Sequence, residues 1–214
     1  MTPSPRAVET RLQLPRWITA LFMPIIAIAS AAALIAPQLQ PRPFVGQTNV
    51  GVIMSVVDAP DTAGRVGSKA PDFLWVQPSG QTTRLSALKG RPVVLNFWAT
   101  WCAPCRAEMP RLEQAARDNP GIAFYELDLD EDGAKVRGFF DSLELTHLIP
   151  LIDVGTVVAR KYGLVFPPTT YFIDADGIVR ATHLGEMDAL QIATLIGSVV
   201  ATGPIDSFSH SVAR

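Results

Sequence analysis

Cys102 and Cys105 are the only cysteines in this 214-residue chain, and two residues separate them. A single pair with this spacing closes almost no loop, so it cannot act as a stabilising disulfide framework. Three scattered histidines, His147, His183 and His210, do not offer the spacing of a four-ligand zinc site. The pair therefore indicates a redox-active dithiol, and no metal or cofactor is expected.

The two cysteines lie between a predicted buried strand and a predicted helix. A nearly continuous apolar run at 92–98 is typical of a strand buried on both faces. A helix is expected from about Cys102 to Arg117, and Pro104 suits its first turn. Because the first N–H groups and the dipole of a helix stabilise negative charge, we expect a lowered pKa for the Cys102 thiol.

The two thiols are expected to have different roles. Cys102 should be the exposed nucleophile that forms a mixed disulfide with a substrate, and Cys105 the buried thiol that resolves it. The alternative is a pair of small core residues or an isolated metal motif. The preceding strand, the helix start and an apolar N-terminal segment typical of export favour the redox interpretation.

Strands and helices are predicted to alternate through the rest of the chain. The predicted strands lie at 73–76, 82–85, 122–127, 169–173 and 178–183, the helices at 135–143, 157–162 and 189–200, and the segment 50–57 allows one more short strand. This order predicts an α/β fold in which a parallel pair of strands is extended by an antiparallel pair, with helices on both faces.

The segment 17–36 contains twenty residues and no charge, which is long enough to span a bilayer as a helix. Arg6, Arg11 and Arg16 precede it, so the N-terminus is expected to stay in the cytoplasm. A cleaved signal peptide is the alternative, with small residues at 30–33. The run is longer than the usual signal core of about 7–15 residues, which favours an uncleaved anchor. Both alternatives place the following domain outside the cytoplasm, where disulfides persist.

Five segments are therefore predicted. They are a cytoplasmic tail at 1–16, a transmembrane anchor at 17–36, a linker at 37–66, a globular domain at 67–200 and a C-terminal tail at 201–214. Hydrophobic residues make up 48% of the chain, which is enough for a folded core. The net charge of −2 and the absence of a basic stripe argue against a nucleic-acid partner.

The segment 98–105, WATWCAPC, resembles the active site of the thioredoxin superfamily, and within it the TlpA/ResA-like membrane-anchored thiol–disulfide reductases. Further similar segments lie at 67–73, 88–90, 168–170 and 173–174, so the resemblance covers about 66–200. It implies a thioredoxin-like fold, in which helices flank a central mixed sheet, together with an N-terminal transmembrane helix and a strand–helix insertion between the two halves of the fold.

The resemblance also assigns a substrate-binding region. Pro168 resembles the proline that the family holds in cis beside the cysteines. The residue before it normally offers an N–H and a C=O to the substrate backbone, but here it is Pro167, which has no N–H. One of those two bonds should be missing, unless Pro167 is itself the cis residue. Trp101, Pro104, Pro167 and Thr169 are the candidate substrate contacts.

A proton acceptor for Cys105 is expected at Glu108. Asn96 occupies the position where thioredoxin carries a buried aspartate, and an amide cannot shuttle a proton. Glu108 follows Cys105 by three residues on the same helical face and resembles the active-site glutamate of the ResA-like group. The alternative is a solvated glutamate that interacts with the helix dipole.

The resemblance implies a single-pass protein of the inner membrane that reduces disulfides on the periplasmic side. Its expected clients are the haem-site cysteines of apocytochrome c or the copper-site assembly proteins of cytochrome oxidase. Electrons would come from a transmembrane thiol reductant of the DsbD/CcdA kind. An oxidase or isomerase direction and a copper-binding thiol protein are the alternatives. A peroxiredoxin is disfavoured, because the chain has no distant second cysteine for resolution.

Overall fold

A computed structural model describes residues 50–59 and 64–200. The predicted anchor at 17–36 and the two predicted tails lie outside these residues. In the described ranges, no helix is long and apolar enough to cross a membrane. The strands are β1 Gly51–Asp58, β2 Asp72–Val76, β3 Thr82–Arg84, β4 Val93–Trp98, β5 Ala123–Asp128, β6 Ile149–Ile152, β7 Thr169–Ile173 and β8 Val179–Leu184. The helices are α1 Ala103–Asp118, α2 Gly133–Ser142, α3 Val157–Lys161 and α4 Ala189–Val200.

The described strands form one mixed sheet in the order β3-β2-β1-β6-β5-β4-β7-β8. Strand β4 runs parallel to β5 and antiparallel to β7, and β7 is antiparallel to β8. The predicted parallel pair with an antiparallel extension is therefore confirmed. Every residue of β4 is buried, as its apolar sequence predicts, because the strand has neighbours on both edges and packing on both faces.

The short strand that the sequence allowed at 50–57 is confirmed as β1, which pairs with both β2 and β6. This part of the segment 37–66, which was otherwise expected to be a linker, therefore belongs to the sheet. Strand β6 was not expected, because it has four residues and contains Pro150. Pro150 is tolerated because β6 pairs with β1 only at Leu151 and Ile152, and Pro150 lies beyond that pairing.

Helices cover both faces of the sheet, as predicted. One core contains the buried sides of α1, α2 and α4, and the other contains α3 with the N-terminal strands. Side chains alternate along a strand, so Val94 and Trp98 of β4 face the first core and Val93, Leu95 and Phe97 face the second. The first core also contains both cysteines.

Candidate active site

The chain passes from the end of β4 through a short turn into the first residue of α1. Cys102 is the N-cap of α1, with extended backbone angles of φ −80° and ψ 107°, and Pro104 lies in the first turn. Cys102 and Cys105 are joined by a disulfide. The backbone N–H of Cys105 donates to Cys102 Sγ at 3.2 Å. The predicted position of the pair at a helix start is confirmed, and an N–H group already points at the sulfur that should carry charge.

The expectation of an exposed Cys102 side chain is wrong for this disulfide state. Cys102 is 5% exposed and Cys105 is fully buried. The Cys102 sulfur is bonded to Cys105 and lies against the Cys105 N–H, which withdraws it from solvent. Trp101, which precedes it, is 62% exposed. Cys102 is still the more exposed of the two cysteines.

The peptide bond between Pro167 and Pro168 is cis, as the family pattern predicts, so the alternative of a cis bond before Pro167 is wrong. Strand β7 follows at once, and its first residue, Thr169, pairs with Phe97 near the end of β4. This register places the proline pair at the same end of the sheet as the cysteines. The Thr169 side chain is buried and donates to the Phe166 carbonyl at 2.7 Å, so its hydroxyl is already engaged.

Glu108 is fully buried, so the alternative of a solvated glutamate is wrong. Burial raises its pKa from 4.5 to about 7. The Met187 N–H, which donates to Glu108 Oε2 at 3.1 Å, opposes this rise, as does the nearby Asn96 amide. A carboxyl that titrates near neutral pH can both accept and return a proton under physiological conditions. This property and its place one turn after Cys105 fit the expected role.

The sequence interpretation missed a second buried carboxyl, Glu126 of β5. It lies opposite Asn96 in the sheet, and Asn96 Nδ2 donates to Glu126 Oε2 at 2.8 Å. Thr170 Oγ1 donates to Asn96 Oδ1 at 3.2 Å from the other neighbouring strand. Burial raises the pKa of Glu126 well above its ordinary value. The sequence did contain a signal for it. Glu126 lies inside the strand predicted at 122–127, and alternation along that strand places it on the same face as the apolar Phe124.

Acidic side chains also anchor the turn that leads to Cys102. Glu131 accepts hydrogen bonds from the Thr100 N–H at 2.5 Å and from Thr100 Oγ1 at 2.7 Å. Asp128 Oδ1 in turn accepts from the Glu131 N–H at 2.7 Å. Burial, with the neighbouring Glu131 charge, raises the pKa of Asp128 to about 8. Thr100 is thereby fixed two residues before the reactive sulfur.

Of the three histidines, His147 and His183 lie in the described residues and His210 lies outside them. His147 Nδ1 lies 2.7 Å from Glu113 Oε1, whose carboxylate also accepts from the His147 backbone N–H. His183 lies opposite Thr170 in β8. In the part of the chain that the structure describes, no three His, Cys, Asp or Glu side chains are grouped as metal ligands.

A cis-proline and a CxxC disulfide at the start of a helix, both at one end of a mixed sheet, define a thiol–disulfide oxidoreductase with a thioredoxin-like fold. The sequence model of the AhpC/TSA family matches residues 66–182, and the chain belongs to this family.

Two relatives have names that describe thioredoxin-like or thiol–disulfide chemistry. The chain is 38% identical over 125 residues to the thioredoxin-like protein YneN of Bacillus subtilis, covering 56% of this chain and 72% of that protein. It is 41% identical over 129 residues to the thiol-disulfide oxidoreductase ResA of Oceanobacillus iheyensis, covering 58% and 67%.

Solved structures agree on the fold. The exposed lipoprotein thioredoxin Etrx1 of Streptococcus pneumoniae superposes with a TM-score of 0.51 at 30% identity, covering 58% of this chain and 98% of that one. A thiol:disulfide interchange protein of Chlorobium tepidum superposes with a TM-score of 0.56 at 24% identity, covering 67% and 99%. The second likeness, at this lower identity, bears on the fold alone.

Proposed function

We propose that this protein is an exported, membrane-anchored disulfide reductase, held by a single span at 17–36 in the inner membrane with its catalytic domain on the periplasmic side. The uncharged run of twenty residues and the three preceding arginines support the anchor and its orientation. The similarity to an exposed lipoprotein thioredoxin supports a location outside the cytoplasm.

The reaction begins with the reduced pair. The Cys102 thiolate attacks a client disulfide, and one client sulfur leaves as a thiolate that takes up a proton. Cys105 then gives its proton to the Glu108 carboxylate and attacks Cys102 Sγ, which releases the second client sulfur. That thiolate takes the proton from Glu108. The products are a client dithiol and the Cys102–Cys105 disulfide, which is the state of the structure.

The observation that carries this proposal is the Cys102–Cys105 disulfide at the start of α1, with the fully buried Glu108 carboxyl one turn after Cys105. A buried thiol needs a proton acceptor that is itself shielded from water, and the acceptor must be ionised in part at the working pH. A surface glutamate with an ordinary pKa would be ionised at this pH, but it would be too weak a base to take the proton of a thiol. Glu108 satisfies both requirements, because burial places its pKa near neutrality.

The proposed clients are apocytochrome c haem-site cysteines or the thiols of copper-site assembly proteins. Relatives named thiol-disulfide oxidoreductase ResA support a client that contains a disulfide, and the resemblance in the sequence implies these two kinds. A reductase outside the cytoplasm needs electrons from inside the cell, so the proposal includes a transmembrane thiol reductant of the DsbD/CcdA kind. The missing N–H at Pro167 predicts that clients are held by fewer backbone bonds than the family pattern provides.

Trapping of mixed disulfides tests the proposal. Full-length Cys105→Ser cannot resolve the first intermediate, so it should hold clients covalently through Cys102, and mass spectrometry should identify exported proteins. Cys102→Ser is the matched control and should trap few. If Cys102→Ser trapped more clients than Cys105→Ser, the two roles would be reversed, and if neither trapped any, the reductase proposal would be refuted.

The oxidase or isomerase direction is a second candidate. The Cys105 N–H that points at Cys102 Sγ stabilises a thiolate, and stabilising the reduced form makes a dithiol pair more oxidising. The reduction potential decides between the directions. A value near that of thioredoxin, about −270 mV, supports the reductase, and a value near that of DsbA, about −120 mV, supports the oxidase.

A further inference from the structure

Glu126 is a buried carboxyl to which the reaction described above gives no task. It has no solvent exposure, and it lies in the middle of β5 between Tyr125 and Leu127, which face the second core. Alternation along the strand therefore turns Glu126 toward the first core, the one that contains Cys105. Glu126 thus shares a core with the reactive pair.

Asn96 connects Glu126 to Glu108. The Thr170 hydroxyl donates to Asn96 Oδ1, which fixes the amide so that its Nδ2 donates to Glu126 Oε2. The same amide lies close enough to Glu108 to oppose the rise of that residue's pKa. One amide therefore acts on both carboxyls, and the charge of Glu108 raises the pKa of Glu126.

Each carboxyl keeps one buried oxygen without a hydrogen-bond partner among the described residues, Glu108 Oε1 and Glu126 Oε1. If both carboxyls were ionised, each buried charge would be hydrogen-bonded through only one of its two oxygens, which is a costly arrangement away from water. A proton on one carboxyl removes one of these charges. The structure therefore favours one negative charge for the pair.

The surrounding charges identify which carboxyl keeps the proton. Arg111 from α1 lowers the pKa of Glu108, and Glu186, from the segment before α4, raises it. The charged groups that act on Glu126 are Glu108 and Glu113, and both are acidic. Asn96 from β4 is neutral, as is Thr170 from β7, which lies opposite the titratable His183 of β8. Among the described residues, a cation therefore assists the ionisation of Glu108, and none is found to assist Glu126.

We propose that Glu126 is a positioning residue that keeps its proton while Glu108 ionises, so that the two carboxyls behind Cys105 carry one negative charge between them. The effect of this charge on Cys105 rests on the proposed function, in which Cys105 loses its proton to Glu108. A second carboxylate charge in this core would repel the Cys105 thiolate as it forms, since charges interact strongly away from water. Neutral Glu126 leaves Glu108 as the single base and takes no part in the proton transfer itself.

Carboxyl titration of the full-length oxidised protein, labelled with ¹³C at glutamate side chains and followed by NMR, tests the inference. In the wild type, Glu108 should ionise near pH 7 while Glu126 stays protonated. Glu126→Gln should leave the Glu108 midpoint in place, because the amide imitates a neutral carboxyl. Glu108→Gln should lower the Glu126 midpoint by about one pH unit or more, because a like charge is removed.

Glu186→Gln is the matched control, since it removes a charge that acts on Glu108 and should leave the Glu126 midpoint in place. The inference is overturned if Glu126 ionises before Glu108, or if Glu126→Gln lowers the Glu108 midpoint by about one unit. The wild-type titration decides the first point even if a variant does not fold. The readout requires no client, so a failure of client reduction leaves it intact, and a failed titration leaves the reductase proposal intact.

Discussion

Replacing Glu108 with glutamine should make the folded protein less sensitive to pH and more stable than the wild type at alkaline pH. Glutamine keeps the shape of the side chain and an oxygen that can accept the Met187 N–H, which donates to Glu108 at 3.1 Å. It cannot ionise, so it removes the cost of placing a charge in this core. The expected difference therefore grows as Glu108 becomes charged.

The size of the effect follows from the pKa of Glu108, which burial raises from 4.5 to about 7. Each unit of pKa corresponds to about 1.4 kcal/mol, so Glu108 reduces the wild-type free energy of unfolding by about 3 kcal/mol above pH 7. The sign is set by the unfolded chain, which loses the proton near pH 4.5 while the folded protein still binds it. Through the window from 4.5 to about 7, Glu108 should therefore lower wild-type stability by this amount, and the fall in the Glu108→Gln variant should be smaller by the same amount. The raised pKa values of Glu126 and Asp128 add falls of their own in both proteins.

Urea unfolding of the full-length oxidised protein at several pH values measures the difference. Glu113→Gln is a matched control on the same helix, because hydrogen bonds from His147 and Thr146 outweigh burial and hold the pKa of Glu113 below its ordinary value. That variant should lose stability relative to the wild type as pH rises. If the wild type and Glu108→Gln showed the same pH dependence between 4.5 and 7, the assignment of a neutral-range carboxyl to Glu108 would be refuted.

Three further changes have defined outcomes. Gly64→Ala should lower the free energy of unfolding by about 1–3 kcal/mol in urea titrations, since Gly64 has φ +73° and a Cβ would overlap the Tyr162 carbonyl; an unchanged value would contradict this. Asp153→Ala should cost about 1 kcal/mol in the same assay, because Asp153 accepts the first N–H groups of α3 at 2.7 and 3.0 Å; Asp153→Asn should recover part of it. Pro167→Ala restores a backbone donor, so KM for a peptide disulfide should fall about fivefold at similar kcat; an equal or higher KM would show that clients do not use this position.

The strand, turn and helix around the cysteines could be predicted because their signals are local. The apolar run at 92–98, the cysteine spacing and Pro104 lie within fifteen residues, and each indicates the same arrangement. The burial of Glu108 could not be predicted in this way. Helical periodicity places Glu108 on the same face as Cys105. However, the N–H group that donates a hydrogen bond to Glu108 belongs to Met187, 79 residues further along the chain.

Two other features depended on distant pairing. Strand β6 contains four residues and a proline, and only its neighbours β1 and β5 make it a strand. The alternation in β5 indicates that Glu126 shares a face with Phe124, but its hydrogen bond to Asn96 depends on the register between β4 and β5. A sequence pattern predicts which side chains face a core, whereas sheet register decides which polar groups meet there.

Differential alkylation of the reduced full-length protein tests the central claim most directly. A thiolate held at the start of a helix reacts with iodoacetamide at neutral pH, and a buried neutral thiol does not. Cys102 should therefore be modified much faster than Cys105. The pH at which its alkylation rate is half-maximal should lie well below the pKa of an ordinary thiol. Equally slow modification of both cysteines at pH 7, without turnover of any disulfide client, would contradict the account.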